Sequence, residues 1–376
     1  MGSNDGVPVA HILGAFLECA AGDTLPGLLA QTMTGESCLR REPELALHAP
    51  GHDKPVTPLV GRIRPNEGSP RNTLPRCLHL LLPVIERALA AARDRETPVH
   101  HIAICVPESL ASQEAAVMAA LTETGLALPE CAITLHTVGG SGATLSGVVE
   151  TLATTGGECA LFAGVDSLVS LAAVQRHLIG ADPDNRHVTP PAVGEGAVCL
   201  LLGLVENEGD DGLARITAVG LGNADGPLQT SLFASVEKAL DGQPGNGVPP
   251  PAMIHAAPQG PDYRAALYRA EEQFWPRRLS PREQLATRKG RPTPPPSVLE
   301  PEAESISLAR LLGDTGAAAL PLALALACAR LRHPTLPGVD ALVVDAGPGR
   351  AGTAVHLARP NTHDIHFKEG ASHVQG

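Results

Sequence analysis

Four short stretches of this 376-residue sequence combine residue types that do chemistry. The most informative runs from Thr134 to Ser170, where TLHT leads into Val138-Gly139-Gly140-Ser141-Gly142 and then into helical spacing. A strand that turns through glycines into a helix exposes one residue at the helix N-terminus, where free N–H groups and the helix dipole stabilise negative charge. A thiolate placed there would be activated, yet this elbow holds no cysteine. Ser141 is the remaining nucleophile candidate, and a serine acts only beside a base and an oxyanion hole. His255, in the run IHAAPQGPD from Ile254 to Asp262, is the candidate base, with Asp262 or Asp314 as the carboxylate to orient it. On the elbow alone a plain strand-to-helix turn is favoured, its glycines only allowing tight packing. Asp314 or Thr315, in Gly-Asp-Thr-Gly at a helix start, reads more simply as an N-cap, and His255 as a strand-end histidine.

Metal and redox chemistry find little support. The eight cysteines, Cys19, Cys38, Cys77, Cys105, Cys131, Cys159, Cys199 and Cys328, are scattered and form no CxxC pair, so neither a zinc knuckle nor a dithiol site is expected. Most sit in apolar runs as small hydrophobes. His363, His366 and His373 lie in a polar tail where no Cys or carboxylate cluster has ligand spacing beside them, so a solvated tail is the expectation. No cofactor is expected.

The elements that must position the elbow can be read from periodicity. Val7 to Phe16 reads as a first buried strand, Leu25 to Met33 and Pro75 to Arg93 as helices, His101 to Val106 as a strand and Leu110 to Leu126 as a helix. Ala132 to Val138 is a strand, Ala143 to Ala153 the helix after the elbow, and Ala160 to Ala163 a further strand. Strands alternating with helices imply a largely parallel sheet covered on both faces. Val198 to Val205 and Ala214 to Leu221 read as two neighbouring strands at a lobe boundary. The cadence then restarts with helix Leu228 to Leu240, strand Ala252 to Ala256, helices Tyr263 to Phe274 and Ala317 to Leu331, and strand Ala341 to Asp345. This repetition predicts a pseudo-duplicated fold, with lobes 1–208 and 209–360 and a polar tail 361–376. Extended chain or loop is expected at 51–69, a surface loop at 241–251, and a Pro-rich, basic surface insertion at 276–304.

Hydrophobic residues make up 43% of the chain but aromatic ones only 2%, so the core must be aliphatic and closely packed. A net charge of −12 argues against nucleic acid and anionic membranes as partners, since each needs a clustered positive field. The one basic run is Arg277, Arg278, Arg282, Arg288, Lys289 and Arg291; a solvated loop is its plain reading and a dock for an acidic carrier protein its sharper one. No window approaches a membrane span and no leader pattern opens the chain, which predicts a soluble, cytoplasmic protein.

Three motifs join the elbow in order: VGEGAVCLLLG from Val193 to Gly203, the run at His255, and SLARLLGDTGAA from Ser307 to Ala318. Together they closely resemble the β-ketoacyl synthase branch of the thiolase superfamily, over roughly Ala132 to Val355. The resemblance implies a thiolase-like α/β fold, two pseudo-duplicated lobes in a layered α/β/α/β/α core. In that family the elbow carries an acyl-accepting cysteine, then a helix, a Gly-Glu/Asp pair and a strand; Gly157, Glu158 and Ala160 to Asp166 match the pair and the strand. Gly194 to Ala197 match the Gly-Glu-Gly-Ala signature letter for letter.

The departures bear on function. Counting back from Gly157 puts the nucleophile position at Gly140, and aligning Ser141-Gly142 with the family's Ser-Gly puts it at Gly139; both are glycine. The first catalytic histidine falls on His255 with Asp262 at the matching distance. The family's lysine becomes Ala309, its second histidine becomes Asp314, and its gating loop reads Gly347-Pro348-Gly349-Arg350 without an aromatic residue. By resemblance Gly142, Asp262, Gly347 and Gly349 would line the substrate site. Claisen condensation needs a thiolate to hold the acyl chain and imidazoles to support decarboxylation and oxyanion formation. The resemblance therefore implies a degenerate, accessory subunit of chain-length-factor type. Its partners would be acyl-carrier protein or acyl-CoA, and it would form a homodimer or a heterodimer with an intact ketosynthase. An acyltransferase or hydrolase using Ser141 and His255, and a purely architectural scaffold, stand as alternatives.

Overall fold

The computed structural model of the chain describes residues 10–48, 53–63, 73–126, 131–155, 159–180, 192–204, 212–223, 225–240, 250–275, 289, 304–336, 338–347 and 350–360. The tail 361–376 and nearly all of the insertion expected at 276–304 lie outside them.

Strand β1 (Ala10–Cys19) is followed by α1 (Leu25–Thr34), the short strands β2 (Arg40–Arg41) and β3 (Leu59–Gly61), and α2 (Thr73–Asp94). Then come β4 (Val99–Val106), α3 (Glu108–Ala111), α4 (Glu114–Glu123), β5 (Ala132–Thr137), α5 (Ser141–Thr155), β6 (Cys159–Ser167), α6 (Leu171–Gly180) and β7 (Val193–Gly203). The second half repeats the plan with β8 (Ala214–Leu221), α7 (Leu228–Leu240), β9 (Ala252–His255), α8 (Pro261–Phe274), β10 (Glu304–Ser307), α9 (Leu308–Leu312), α10 (Ala319–Arg332), β11 (Asp340–Gly347) and β12 (Arg350–Ala358).

The duplication is visible in strand order. The first half reads β5-β4-β6-β7-β1 and the second β10-β9-β11-β12-β8. In each, three parallel strands are followed by two antiparallel ones. Even single residues correspond: Asp166 pairs with Gly196 across β6 and β7, and Asp345 with Thr353 across β11 and β12. The halves meet in one short antiparallel seam, Ala10, His11 and Ile12 against Ile216, Arg215 and Ala214.

Helices α5 and α10 lie between the halves. Helix α10 touches β1, β6 and β7 on one side and β8, β9 and β11 on the other, and α5 likewise touches strands of both. Helix α2 covers β1, β6 and β7 from outside, and α7 covers β8 and β12 with α8 beside it. The result is the layered α/β/α/β/α arrangement. Helix α10, ALPLALALACARLR, is buried from Ala319 through Leu331, as expected of a helix apolar on every side. Its last turn carries Arg330, which reaches Glu304 at 2.6 Å and complements the helix C-terminus.

Several expectations change. Strands β7 and β8 are not neighbours, because β1 stands between them and pairs with both; a strand from the start of the chain is invisible to local reading. The helix expected at 110–126 is broken into α3 and α4. The Gly-Glu-Gly-Ala signature lies inside β7 rather than before a strand. Strands β10 and β12 and helices α6 and α9 are additions to the elements expected from periodicity. Among the described residues no helix is long and apolar enough to cross a membrane.

The halves interlock where Gly313 to Ala318 enters the first half. Asp314 bridges to Val193, donating its N–H to Ala192 O at 2.7 Å and accepting from Gly194 N at 2.7 Å. Gly313 (φ 81°) and Gly316 (φ 52°) occupy the left-handed region, and side chains there would strike Val193 O and the Asp166 carboxylate, with a Cβ 2.4 and 1.9 Å away. That carboxylate accepts the Ala317 N–H at 3.1 Å, just before α10. Behind it, Glu195 is 1% exposed. It takes two bonds from Arg76, at 2.7 and 3.1 Å, and one each from Ile63 N–H and the Ser167 hydroxyl, at 2.9 and 2.8 Å.

Removing one partner of a buried pair leaves the other charge uncompensated, which costs about 3–5 kcal/mol. Glu195→Ala is therefore expected to lower the unfolding free energy by that amount in urea titrations. A loss below about 1 kcal/mol, the level of an exposed pair, would contradict the role given to Glu195.

Candidate functional site

Strand β5 runs into a single 3₁₀ turn, Val138–Gly140, and α5 begins at Ser141. The elbow expected from the sequence is present, and its glycines do different work. Gly142 packs against β12: a Cβ there would lie 2.0 Å from Thr353 Oγ1, so no side chain fits. A Cβ at Gly140 would meet no atom within 4 Å, and its φ is not positive. Neither backbone geometry nor packing requires glycine at 140. Beneath it, Thr144 donates its hydroxyl to Gly140 O at 2.9 Å, tying the turn to the helix.

Ser141 is buried, at 4% exposure, and starts α5. His255 ends β9, fully buried, and its partners are other hydroxyls. Nδ1 lies 2.8 Å from Tyr263 Oη and Nε2 2.9 Å from Ser305 Oγ. A neutral imidazole has one donor and one acceptor, so one hydroxyl donates to the ring and the other accepts from it. Burial pushes the His255 pKa down to about 4 because desolvation disfavours the cation. Burial and the nearby Asp345 carboxylate raise that of Tyr263. Both ring nitrogens are thus engaged by groups other than Ser141.

Asp262 is exposed at the second position of α8, where a carboxylate suits the helix dipole; the next residue, Tyr263, turns inward to His255. Asp314 is 9% exposed, and its Oδ1 accepts the Gly316 N–H at 2.9 Å. This is a local turn bond rather than the expected N-cap: Asp314 stands one residue before the cap position, Thr315, which makes no side-chain cap bond. Ala309 is half-buried on α9, its carbonyl accepting from Gly313 N at 3.1 Å. Gly347 ends β11 opposite Arg350, and Pro348 and Gly349 lie outside the described residues.

Tyr263 and Ser305 are partners that the sequence does not single out. Tyr263 carries a faint signal, since it shares the inner face of α8 with Ala266 and Ala270. Ser305 carries none, sitting in the four-residue strand β10 directly after the Pro-rich stretch. All eight cysteines are free, and none lies on the elbow. Cys105, at the end of β4, is fully buried, and burial pushes its thiol up to about 12; it supplies no thiolate. Among the described residues no group of three His, Cys, Asp or Glu side chains is placed to hold a metal.

No protein-family model matches the chain, and no curated protein does. Its fold is similar to many solved structures. One is the ishigamide ketosynthase/chain length factor, with 16% identity over 94% of this chain and 100% of that one, and a TM-score of 0.63. A second is a β-ketoacyl synthase from Burkholderia phymatum, with 14% identity, the same 94% and 100%, and a TM-score of 0.60. A third is a type II polyketide ketosynthase solved with its acyl-carrier protein, AntDE:AntF, with 12% identity over 94% and 99%, and a TM-score of 0.61. At these identities the likeness is one of fold.

The His255 environment carries its own test. Because its folded pKa lies below the unfolded value near 6.5, His255 contributes stability that is present above pH 6.5 and lost as pH falls toward 4. In NMR titration the His255 ring is expected to remain neutral at pH 5.5, and Tyr263→Phe to change its tautomer balance. A midpoint near 6.5 would contradict the buried, doubly bonded arrangement.

Proposed function

We propose that this chain, thiolase-like in fold and ketosynthase-like in architecture, is an accessory subunit of chain-length-factor type that no longer performs condensation. It engages an acyl chain delivered by acyl-carrier protein or acyl-CoA, and it pairs with an intact ketosynthase or with a second copy of itself. The observation that carries this reading is the elbow, where both candidate nucleophile positions, Gly139 and Gly140, are glycine. Gly140 stands at the helix N-terminus, with open space for a side chain and no structural need for glycine. The other departures agree. Asp314 accepts the Gly316 N–H through Oδ1, and a carboxylate, if ionised, would oppose a developing enolate where an imidazole would donate to it; Ala309 has no charge to offer. Similar folds include two ketosynthase/chain length factor proteins.

The acyltransferase reading finds less support, because His255 is bonded to Tyr263 and Ser305 and burial lowers its basicity. A base must lie within hydrogen-bond reach of the proton it takes.

Intact mass after incubation with acyl-CoA and acyl-carrier protein discriminates these readings. The wild-type chain is expected to carry no adduct, whereas Gly140→Cys should gain a thiol that alkylates faster than a free cysteine, as thiols at helix N-termini do. An adduct on the wild type that disappears in Ser141→Ala would overturn the proposal in favour of a serine acyltransferase. Light scattering should show a dimer, alone or mixed with an intact ketosynthase; a monomer in both cases would remove the partner assignment.

A further inference from the structure

The first half ends laterally in β5, which pairs with β4 and, among the described strands, with no other. On one face of these strands two histidines converge on one hydroxyl. His101 Nε2 of β4 and His136 Nε2 of β5 each lie 2.9 Å from Thr134 Oγ1. All three side chains are half-buried. We propose that His101, Thr134 and His136 form an acid-sensitive latch, which at neutral pH fastens β5 to β4 and on acidification loosens the strand together with the elbow it leads into.

The chemistry rests on proton count. Threonine has one proton to give and lone pairs to receive, and a neutral imidazole presents either N–H or a bare nitrogen at Nε2. The trio is satisfied when one ring donates to Oγ1 and the hydroxyl donates to the other ring. Protonating the accepting ring turns its Nε2 into a second donor, and the hydroxyl proton loses its acceptor. Protonating both rings places two cations within 6 Å of each other, since both touch one oxygen.

Burial lowers the pKa of both rings, and the charge of His136 lowers that of His101 further. Other titratable groups on the elements against β5 are Cys105, in register with His136, His100 of β4, Glu108 at the exposed start of α3, and Glu150, which accepts from Ser146 on the exposed side of α5. The second charge acting on His101 is that of His136 itself. Both folded values lie below the unfolded histidine value near 6.5. The latch therefore contributes stability above that value, and loses it as pH falls through it toward the lowered folded ones.

The placement gives this a consequence beyond stability. His136 is two residues before Val138, the first residue of the elbow turn, so whatever frees β5 frees the approach to Gly140. This inference does not rest on the accessory-subunit reading, and its test involves no acyl chemistry.

Amide exchange of residues 132–140, expressed as protection factors at pH 7.5 and 5.5, reads the latch directly, alongside NMR titration of both rings. In the wild type, protection should fall on acidification by up to roughly tenfold for each ring, because pH 5.5 lies about one unit below the free value near 6.5. His136→Gln keeps an amide able to bond Thr134 but cannot titrate, so it should lose a clear part of the fall, and the His101→Gln/His136→Gln pair nearly all of it. Rings that titrate at 6.5 or above would overturn the proposal. So would His136→Gln protection that falls as far as the wild type's, and this single variant decides the matter even where the double one does not fold.

Discussion

A carboxylate at 1% exposure has lost the hydrogen bonds of water, and Glu195 draws their replacements from separate parts of the chain. Arg76 comes from α2, the Ser167 hydroxyl from the end of β6, the Ile63 N–H from the segment after β3, and Glu195 itself from β7. A buried pair of this kind adds little net stability compared with apolar packing, because both ions lose their hydration. Its effect is positional: no other register of β7 against α2 satisfies all of these bonds. With β7 fixed, Gly194 can let Leu312 O approach to where a Cβ would stand 2.2 Å away. The segment 313–318 then enters the first half, and Asp166 receives the chain just before α10.

This separates two kinds of residue in the ketosynthase-like motifs. Gly194, Gly313 and Asp166 bring the halves together and Glu195 fixes the strand on which they meet, and their letters are the matching ones. Gly140, Ala309 and Asp314 are letters that depart from the resemblance. The division has a physical basis. A glycine at φ 81° against a carbonyl admits no other side chain, whereas Gly140 faces open space and admits many. Asp314 is the instructive intermediate, since a short carboxylate is well suited to folding back on the next turn's N–H.

Much of this is legible from the sequence because the signals are local. Helices α2 and α7 alternate with apolar strands, and Gly-Glu-Gly-Ala runs straight into the apolar residues of the strand it belongs to. What stays hidden is long-range. The insertion of β1 between β7 and β8 depends on residues nearly 200 positions apart. The partners of His255 are hidden for a related reason: Asp262 is suited by charge, but the helical turn of α8 points it to solvent and brings its neighbour Tyr263 inward. Ser305 reaches the ring from a strand too short to show a period.

The short seam between β1 and β8 has a consequence for how the chain acquires its shape. Among the described residues, three pairs alone join the two sheets through a strand ladder, so their union depends on α5 and α10 being packed between them. Helix α10 leaves the ribosome after every strand of the first half, and it has no face that tolerates water. Until it is synthesised, the inner face of the first sheet, including Ala103, Phe162, Val198 and Leu200, lacks its cover. Contacts of such wide sequence separation form slowly, and apolar surface exposed in the interval invites aggregation. The topology therefore leaves the inner face of the first sheet uncovered until the second half of the chain is in place.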